Sequence, residues 1–416
     1  MLWRLAFASL WSRRGSVLLT FLAITVSVFV LLGVEQVRHQ AKNSFGNTVS
    51  GIDLIVGART GDINLLLYSV FQLGNATNNI AWSSYQQIAA QPEIAWSVPI
   101  SLGDSHFGYR VMGTTRDYFQ FFRYGRDNAL QLAEGTAFND LFDVVLGSQV
   151  ASALGYQPGS QLVLAHGLGR TSFSQHDDKP FTVVGILRPT GTPVDQTLLV
   201  SLEAISAIHL DWQNGVKMPG RSPHSVQLVG QDLTPESITA VMLGLKSKLT
   251  TFRVQRQINT YQGEPLLAIL PGVTLTQLWQ VMSAMENTLR LISALVLLAS
   301  LLGLAAMLLV SIRERRREIA LMRTIGASPW FILLLIEVEG LVITLGGALT
   351  AVLLLAVATA ATNDFLAERY SLFLDGSLLT ANSMSYLLVI VLGGLVVGLI
   401  PGITAYRRAL QQQLVS

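Results

Sequence analysis

The chain of 416 residues is 50% hydrophobic and only 13% charged, with a formal net charge of +2 and no cysteine. Soluble domains carry about a quarter charged residues, so this composition points to a membrane protein, and so small a net charge gives no ground for a nucleic-acid partner. The lack of cysteine excludes disulfides and thiolate metal sites.

In chain order, residues 1–14 set Trp3, Phe7, Leu10 and Trp11 among Arg4, Arg13 and Arg14. The spacing predicts a basic amphipathic helix suited to the membrane interface and to the edge of a partner. Gly15–Val34 follows without a charge. A hydrocarbon core about 30 Å thick takes roughly 20 helical residues, so this run is long enough to span. It exceeds the apolar core of a signal peptide, and no small-residue cleavage site precedes the charged VEQVRHQAK, so it reads as a retained anchor. Val37, Ala41, Phe45 and Val49 then recur at helical spacing, predicting that residues 15–49 form a span continued by a stalk.

Residues 50–275 change period. VPISLGDSHFGYRVMGTT (98–115) predicts a hairpin. VVLGSQVASALGYQPGSQLVLAHG (144–167) predicts strand, short helix, Pro-Gly turn and strand. PFTVVGILRPTGTPVDQTLLVSLEAISAIH (180–209) predicts a strand, a Pro/Gly/Thr loop, a second strand and a helix. This is a mixed α+β domain with short strands, not a doubly wound nucleotide fold. LLLYSVF (65–71) and the aromatic run Tyr118, Phe119, Phe121, Phe122 and Tyr124 are either core or surfaces for lipid or a partner. His166, His176, His209 and His224 fall in one part of the domain, with Asp177 and Asp178 adjacent. Histidine with carboxylate can bind zinc without cysteine, but the long, irregular spacing predicts no metal site.

Residues 276–312 repeat the stalk pattern in Leu278, Val281, Met282, Met285 and Leu289, then become the apolar run Leu291–Ile312. The two stalk stripes are expected to face each other or a partner. A connector over 313–336 follows, then apolar Gly340–Thr362 within 337–362, a short loop at 363–384, and Ser385–Thr404 within 385–416, which ends in a basic tail. Glu337 and Glu339 are expected at headgroup depth, just past the connector. Gly346-Gly347 and Gly394-x-x-x-Gly398 allow close helix approach or dimerisation.

Residues 1–14, 313–328 and 405–416 together hold ten arginines and only Glu314 and Glu318, whereas residues 35–290 hold 17 Lys plus Arg and 19 Asp plus Glu. By the positive-inside rule both termini and the connector are cytoplasmic. The fold class is therefore an α-helical membrane domain of four transmembrane helices, one plus three, with a large α+β extracytoplasmic domain inserted between helices 1 and 2.

No G-x-x-x-x-G-K-[ST], H-E-x-x-H or G-x-S-x-G occurs, and Gly167-Leu168-Gly169 is a lone G-x-G. The chain is read as a non-enzyme without a cofactor of its own. The densest charge lies in the connector, RERRREIALMRTIGAS (313–328). Glu314 can pair with Arg317 at i,i+3, Ile319, Met322 and Ile325 offer an apolar face, and Gly326-Ala327-Ser328 permits a tight turn. Arginine there suits carboxylates on a partner.

RERRREIALMRTIGASPWFILLLIEVEGL (313–341) resembles the connector of MacB/FtsX/LolC-type ABC transporter permeases, whose R-x-x-E-I-x-x-x-R-x-x-G-A motif is matched by Arg315, Glu318, Ile319, Arg323, Gly326 and Ala327. WRLAFASLWSRRGSVLLTFLAITVSV and GLIPGITAYRRALQQQL are similar to the family's two ends, and VVLGSQVASALGYQPGSQLVL and FTVVGIL to its periplasmic core domain. DLIVGARTGDINLLLYSVFQLGNATNNI and PTGTPVDQTLLVSLEAI are similar to an uncharacterised branch of it. The resemblance implies an inner-membrane permease, acting as a homodimer or with a second permease. ATP and magnesium would be bound by a separate ABC ATPase subunit docked on the connector. Arg315, Glu318, Ile319, Met322, Arg323, Gly326, Ala327 and Ser328 are the coupling residues so implied. The activity implied is mechanotransmission that exports or extracts a lipophilic or periplasmic substrate, with a periplasmic or lipoprotein partner possible in such systems. An FtsX-like regulator of an envelope protein, or part of a metal-linked envelope system, is the alternative.

Overall fold

The computed structural model describes residues 2–48, 50–125, 127–166, 179–210, 212–213, 216–217, 232–370 and 381–411. The chain divides into two compact units, a helical one from residues 1–40, 283–364 and 374–416, and a sheet one from residues 41–282 and 365–373. In chain order, α1 (Leu2–Ser12) and α2 (Arg14–Asn47) precede β1 (Leu54–Ala58), α3 (Asp62–Ser69) and α4 (Trp82–Ala89). Then come β2 (Ile94–His106), β3 (Tyr109–Thr114), α5 (Asp117–Phe121), β4 (Leu132–Gly135), β5 (Asp143–Leu146) and α6 (Ser148–Leu154). β6 (Phe181–Leu187), β7 (Thr197–Ser201), α7 (Leu202–His209), β8 (Ala240–Leu245), α8 (Thr251–Asn259) and β9 (Leu266–Ile269) complete the sheet unit. The chain continues as α9 (Pro271–Glu314), α10 (Arg316–Thr324), α11 (Pro329–Tyr370) and α12 (Ala381–Gln411).

The sheet runs β9-β1-β8-β2-β3-β7-β5-β6-β4. The β3/β7 and β5/β6 pairs are parallel and the other neighbours on this path antiparallel. Side chains of a strand alternate between faces, and here both faces are buried, which is why the strands read as nearly unbroken apolar runs. Ile55, Val145, Leu199 and Met242 enter one core with Leu65 and Leu66 of α3 and Tyr118 of α5. On the other face Leu54, Val56, Val241 and Leu243 pack with Ile88 of α4 and Val254 and Ile258 of α8. Farther along that face Val144, Leu146, Leu198 and Val200 pack with Val150 of α6 and Ile208 of α7. LLLYSVF and the aromatic run are thus core: Leu65, Leu66, Tyr68, Tyr118 and Phe122 are buried. The expected hairpin is β2/β3, with His106 opposite Tyr109 and positive φ at both Phe107 and Gly108, the signature of a type I′ turn. The 144–167 and 180–209 segments fold as expected over their described residues, and Ser201 starts α7 by accepting from the Ala204 amide at 3.0 Å.

Among the described residues four helices are long and apolar enough to cross a membrane, within Arg14–Gln40, Pro271–Glu314, Pro329–Thr362 and Ser383–Arg407. Their shared core is built from Ile24, Val28 and Leu32 of α2, Leu304 and Leu308 of α9, Ile336 and Ile343 of α11 and Ile390 of α12. The glycines serve this internal packing. A Cβ on Gly347 would lie 3.0 Å from Ile24, and one on Gly394 2.8 Å from Thr344. Of the stalk residues, Val37, Val281, Met285 and Leu289 are exposed and Leu278 and Met282 half-buried, and polar groups also join α2 to α9: Arg290–Glu35 at 3.1 Å, Arg38–Glu286 at 3.2 Å and Ser27–Ser300 at 2.7 Å. A charged side chain at a helix contact needs its counter-charge there, and these pairs supply it. The side chains of Ala41, Phe45 and Val49 lie outside the described residues.

One glycine fixes the sheet edge. Gly135 has φ +74°, and a Cβ there would meet the Val184 carbonyl oxygen at 1.9 Å, where β4 crosses β6. Gly135→Ala is expected to lower stability by on the order of 2 kcal/mol, through both strain and clash. Gly103→Ala, with open space at its Cβ, is the matched control expected to change little. Thermal unfolding of the two purified variants checks the contrast.

Candidate functional site at the connector

The connector is a short helix held between two breaks. α9 ends at Glu314, Arg315 leaves helical geometry at φ −95°, ψ 21°, and α10 runs over Arg316–Thr324. Its C-terminal turn closes on Gly326, whose φ of +100° suits a residue without a Cβ. Ala327 donates to the Met322 carbonyl at 2.9 Å, and the Arg323 guanidinium donates to the Ala327 carbonyl at 2.6 Å. Ser328 then caps α11, accepting from the Phe331 amide at 3.2 Å, with Pro329 at the first helical position. Arg323, Gly326, Ala327 and Ser328 therefore shape the turn that orients α10.

The faces of α10 differ from the sequence reading. Ile319 packs into the helical core and Met322 is half-buried, so these two do not form a free apolar face with Ile325. Leu321 (62% exposed) and Ile325 (85% exposed) do, in line with exposed Arg317 at steps of four residues. Leu321 is the residue the sequence reading missed: the connector's apolar residues could be assigned to either face until the neighbours were known. The i,i+3 pair that forms is Arg315–Glu318 at 2.6 Å, not Glu314–Arg317, because Arg315 sits at the break and can turn back over the first turn of α10. In α1, likewise, Leu10 is buried with Ala6 and Ser9, and the outward stripe is Trp3, Phe7 and Trp11.

Of the two glutamates at the start of α11, Glu339 is 1% exposed and takes Arg13 at 3.2 Å and Arg315 at 3.0 Å. Glu337 lies against α12, where a Cβ on Gly398 or Gly402 would come within 2.9 or 3.3 Å of its carboxylate oxygens.

A family model of the FtsX-like permease C-terminal region matches residues 290–414, and one of the MacB-like periplasmic core domain matches residues 17–261, more than half of the chain. The chain belongs to the MacB/FtsX family of ABC transporter permeases. A "Probable export ATP-binding/permease protein" of Pseudomonas fluorescens is 23% identical over 97% of this permease, which spans 58% of that relative's length. Among solved structures, the periplasmic region of MacB from Actinobacillus actinomycetemcomitans is similar over 55% of this chain and 94% of its own, at 12% identity and a TM-score of 0.33. The extracellular domain of the noncanonic ABC-type transporter YknZ from Gram-positive bacteria is similar over 52% of this chain and 98% of its own, at 10% identity and a TM-score of 0.31.

The permease's histidines separate into described and undescribed ones. His176, His224 and the side chain of His166 lie outside the described residues, as do Asp177 and Asp178. Among the described residues no group of three or more His or carboxylate side chains comes together as a metal site. His209 instead ends α7, its Nδ1 2.7 Å from the Ile205 carbonyl and its Nε2 3.6 Å from buried Asp104. Burial alone would pull His209 down, but the Asp104 carboxylate outweighs it and holds the imidazole above its ordinary range, against the nearby charge of buried Lys179. His106, which the sequence reading did not single out, is buried between the Val163 carbonyl at 2.7 Å and the Tyr156 hydroxyl at 2.9 Å. Burial pushes its pKa down, opposed in part by the Val163 carbonyl.

The two histidines bear on stability with opposite signs. A raised folded pKa makes the His209 contribution fully present below the unfolded value and lost as pH rises through the folded one. A lowered one makes the His106 contribution fade as pH falls below the unfolded value of about 6.5. Asp104→Asn removes the first and leaves the second. The variant is therefore expected to lose more stability than the wild type on acidification from about pH 7.5 to about pH 5.5, measured by thermal unfolding in detergent.

Proposed function

We propose that this permease couples ATP binding and hydrolysis in a separate ABC ATPase subunit to movement of its sheet domain, by docking that subunit on α10. The observation that carries the reading is the exposed stripe Arg317, Leu321 and Ile325 on a short helix between two membrane-length helices. Burying an exposed Leu or Ile side chain contributes about 1.5–3 kcal/mol, so the stripe favours occupation by a partner. Arg313, Arg316 and Arg317, all exposed beside it, favour a partner surface rich in carboxylates. The residues around the stripe divide the labour: Ile319 and Met322 anchor α10, Arg323 and Gly326-Ala327-Ser328 set its angle, and Arg315 with Glu318 stiffens its first turn.

By the same reading, both termini and α10 face the cytoplasm, the sheet domain is periplasmic and the four long helices lie in the inner membrane. The outward aliphatic stripe of Val281, Met285 and Leu289 on α9 is offered to a second copy or a like permease. The motion acts on a lipophilic or periplasmic substrate, exported or extracted without a channel through the permease. Support comes from the sparse charge of the four membrane-length helices and from the "export" in the name of the Pseudomonas relative. A sheet domain of this size, over 41–282, favours handling of a substrate over an FtsX-like regulatory role.

The test is co-purification from the native membrane in detergent. Leu321→Asp combined with Ile325→Asp is expected to abolish recovery of an ABC ATPase with the permease, while the permease still fractionates with the membrane. Ile319→Asp, which damages packing, should lower the amount of permease itself. ATPase recovery unchanged in the double variant would refute the docking face.

A further inference from the structure

Two helices, α2 and α9, join the helical unit to the sheet unit along the chain, and each ends at its connector side in a break one residue long. α1 stops at Ser12 and α2 begins at Arg14; α9 stops at Glu314 and α10 begins at Arg316. The residue at each break is an arginine, and both arginines reach the same buried carboxylate. The Arg13 guanidinium donates to Glu339 Oε2 at 3.2 Å, and the Arg315 guanidinium to Glu339 Oε1 at 3.0 Å. Both also donate to the Ser9 hydroxyl, Arg13 at 2.9 Å. Arg315 has a further partner on the connector helix itself, donating from Nε to Glu318 Oε2 at 2.6 Å.

We infer that Glu339 is the fulcrum of the coupling apparatus: it pins the ends of α2 and α9 to α11 through Arg13 and Arg315, so that a push on α10 turns those two helices as one lever. This rests on the reading of α10 as the docking helix. The physical case has three parts. A carboxylate 1% exposed among apolar helices is costly to part from its guanidinium partners, because parting leaves a buried charge unpaired, so the contact resists stretching. Arg315 holds Glu318 on α10 with one nitrogen and Glu339 on α11 with another, so displacement of α10 reaches α11 and the Ser9–Arg13 corner through a single side chain. Farther along, α2 and α9 are tied by Arg38–Glu286 and Arg290–Glu35, so rotation started at the fulcrum is carried along both helices together. Glu339 is a positioning residue on this reading; its carboxylate is buried, apart from the exposed docking stripe.

Because this sequence has no cysteine, the permease can be spin-labelled before the ATPase is added, without background from its own residues. Val37 of α2 and Val357 of α11 are both exposed and accept Val37→Cys and Val357→Cys. The distance between them is measured by pulsed electron resonance in the permease–ATPase complex, without nucleotide and with ATP plus vanadate. The otherwise wild-type complex is expected to show a nucleotide-dependent shift. Glu339→Gln is expected to retain the ATPase on purification and to lose that shift. Ser9→Ala, a milder change that removes only the hydroxyl shared by the two guanidiniums, is expected to reduce it and serves where Glu339→Gln does not accumulate. A full shift in either variant overturns the fulcrum while leaving docking intact. Failure of the otherwise wild-type chain to hold an ATPase, or to shift at all, overturns the proposed function and this inference with it.

Discussion

A charge withdrawn from water has to meet its counter-charge, and in a chain whose long helices are almost wholly aliphatic that requirement organises what can touch what. Glu339 is placed where two arginines from distant parts of the sequence can reach it, and those arginines in turn define where α1 gives way to α2 and where α9 gives way to α10. The same demand acts farther along α2 and α9, where Glu35, Arg38, Glu286 and Arg290 pair across the seam. Away from these seams aliphatic side chains turn outward, including Leu18, Leu22 and Val26 of α2 and Leu295, Leu298 and Leu302 of α9. An outward aliphatic surface is unfavourable in water and at ease in hydrocarbon, so the ion pairs and the membrane environment select the same arrangement.

The sheet unit answers to a different solvent. Its strands bury both faces, so each alternate residue contributes to a separate core, and helices must cover both sides. One face is covered chiefly by α3 and α5, the other by α4 and α8 over one half and α6 and α7 over the other. A sheet packed in this way moves as a stiff body, because close-packed interiors transmit strain rather than absorb it. Among its buried polar groups, Asp104 meets His209 and His106 meets Tyr156, each held by a specific partner.

The connector lies within the helical unit. Along residues 316–325 some side chains serve packing and some the turn, while Leu321 and Ile325 stay exposed in line with exposed Arg317. This is a stronger basis for a docking surface than charge density, since arginines in a connector are accounted for by topology alone.

Much of this was legible in the amino-acid order. The four apolar runs, the β2/β3 hairpin, the strand–helix–turn segment after Asp143 and the family motif from Arg315 to Ala327 depend on local period, turn chemistry and run length, all of which a sequence carries within a window of a few residues. Facing was not legible. Ile319 and Leu321 are two residues apart with equivalent chemistry, and only packing into the helical core decides that the first is anchored and the second is presented. Nor was the partner of Glu339, since Arg13 is 326 positions away and no local pattern links them. The sequence by itself therefore determined the elements, their order and the sign of charge at each end of the long helices. Tertiary structure alone decided which charges were neutralised and which apolar face remained free, because both depend on contacts between helices far apart in the chain.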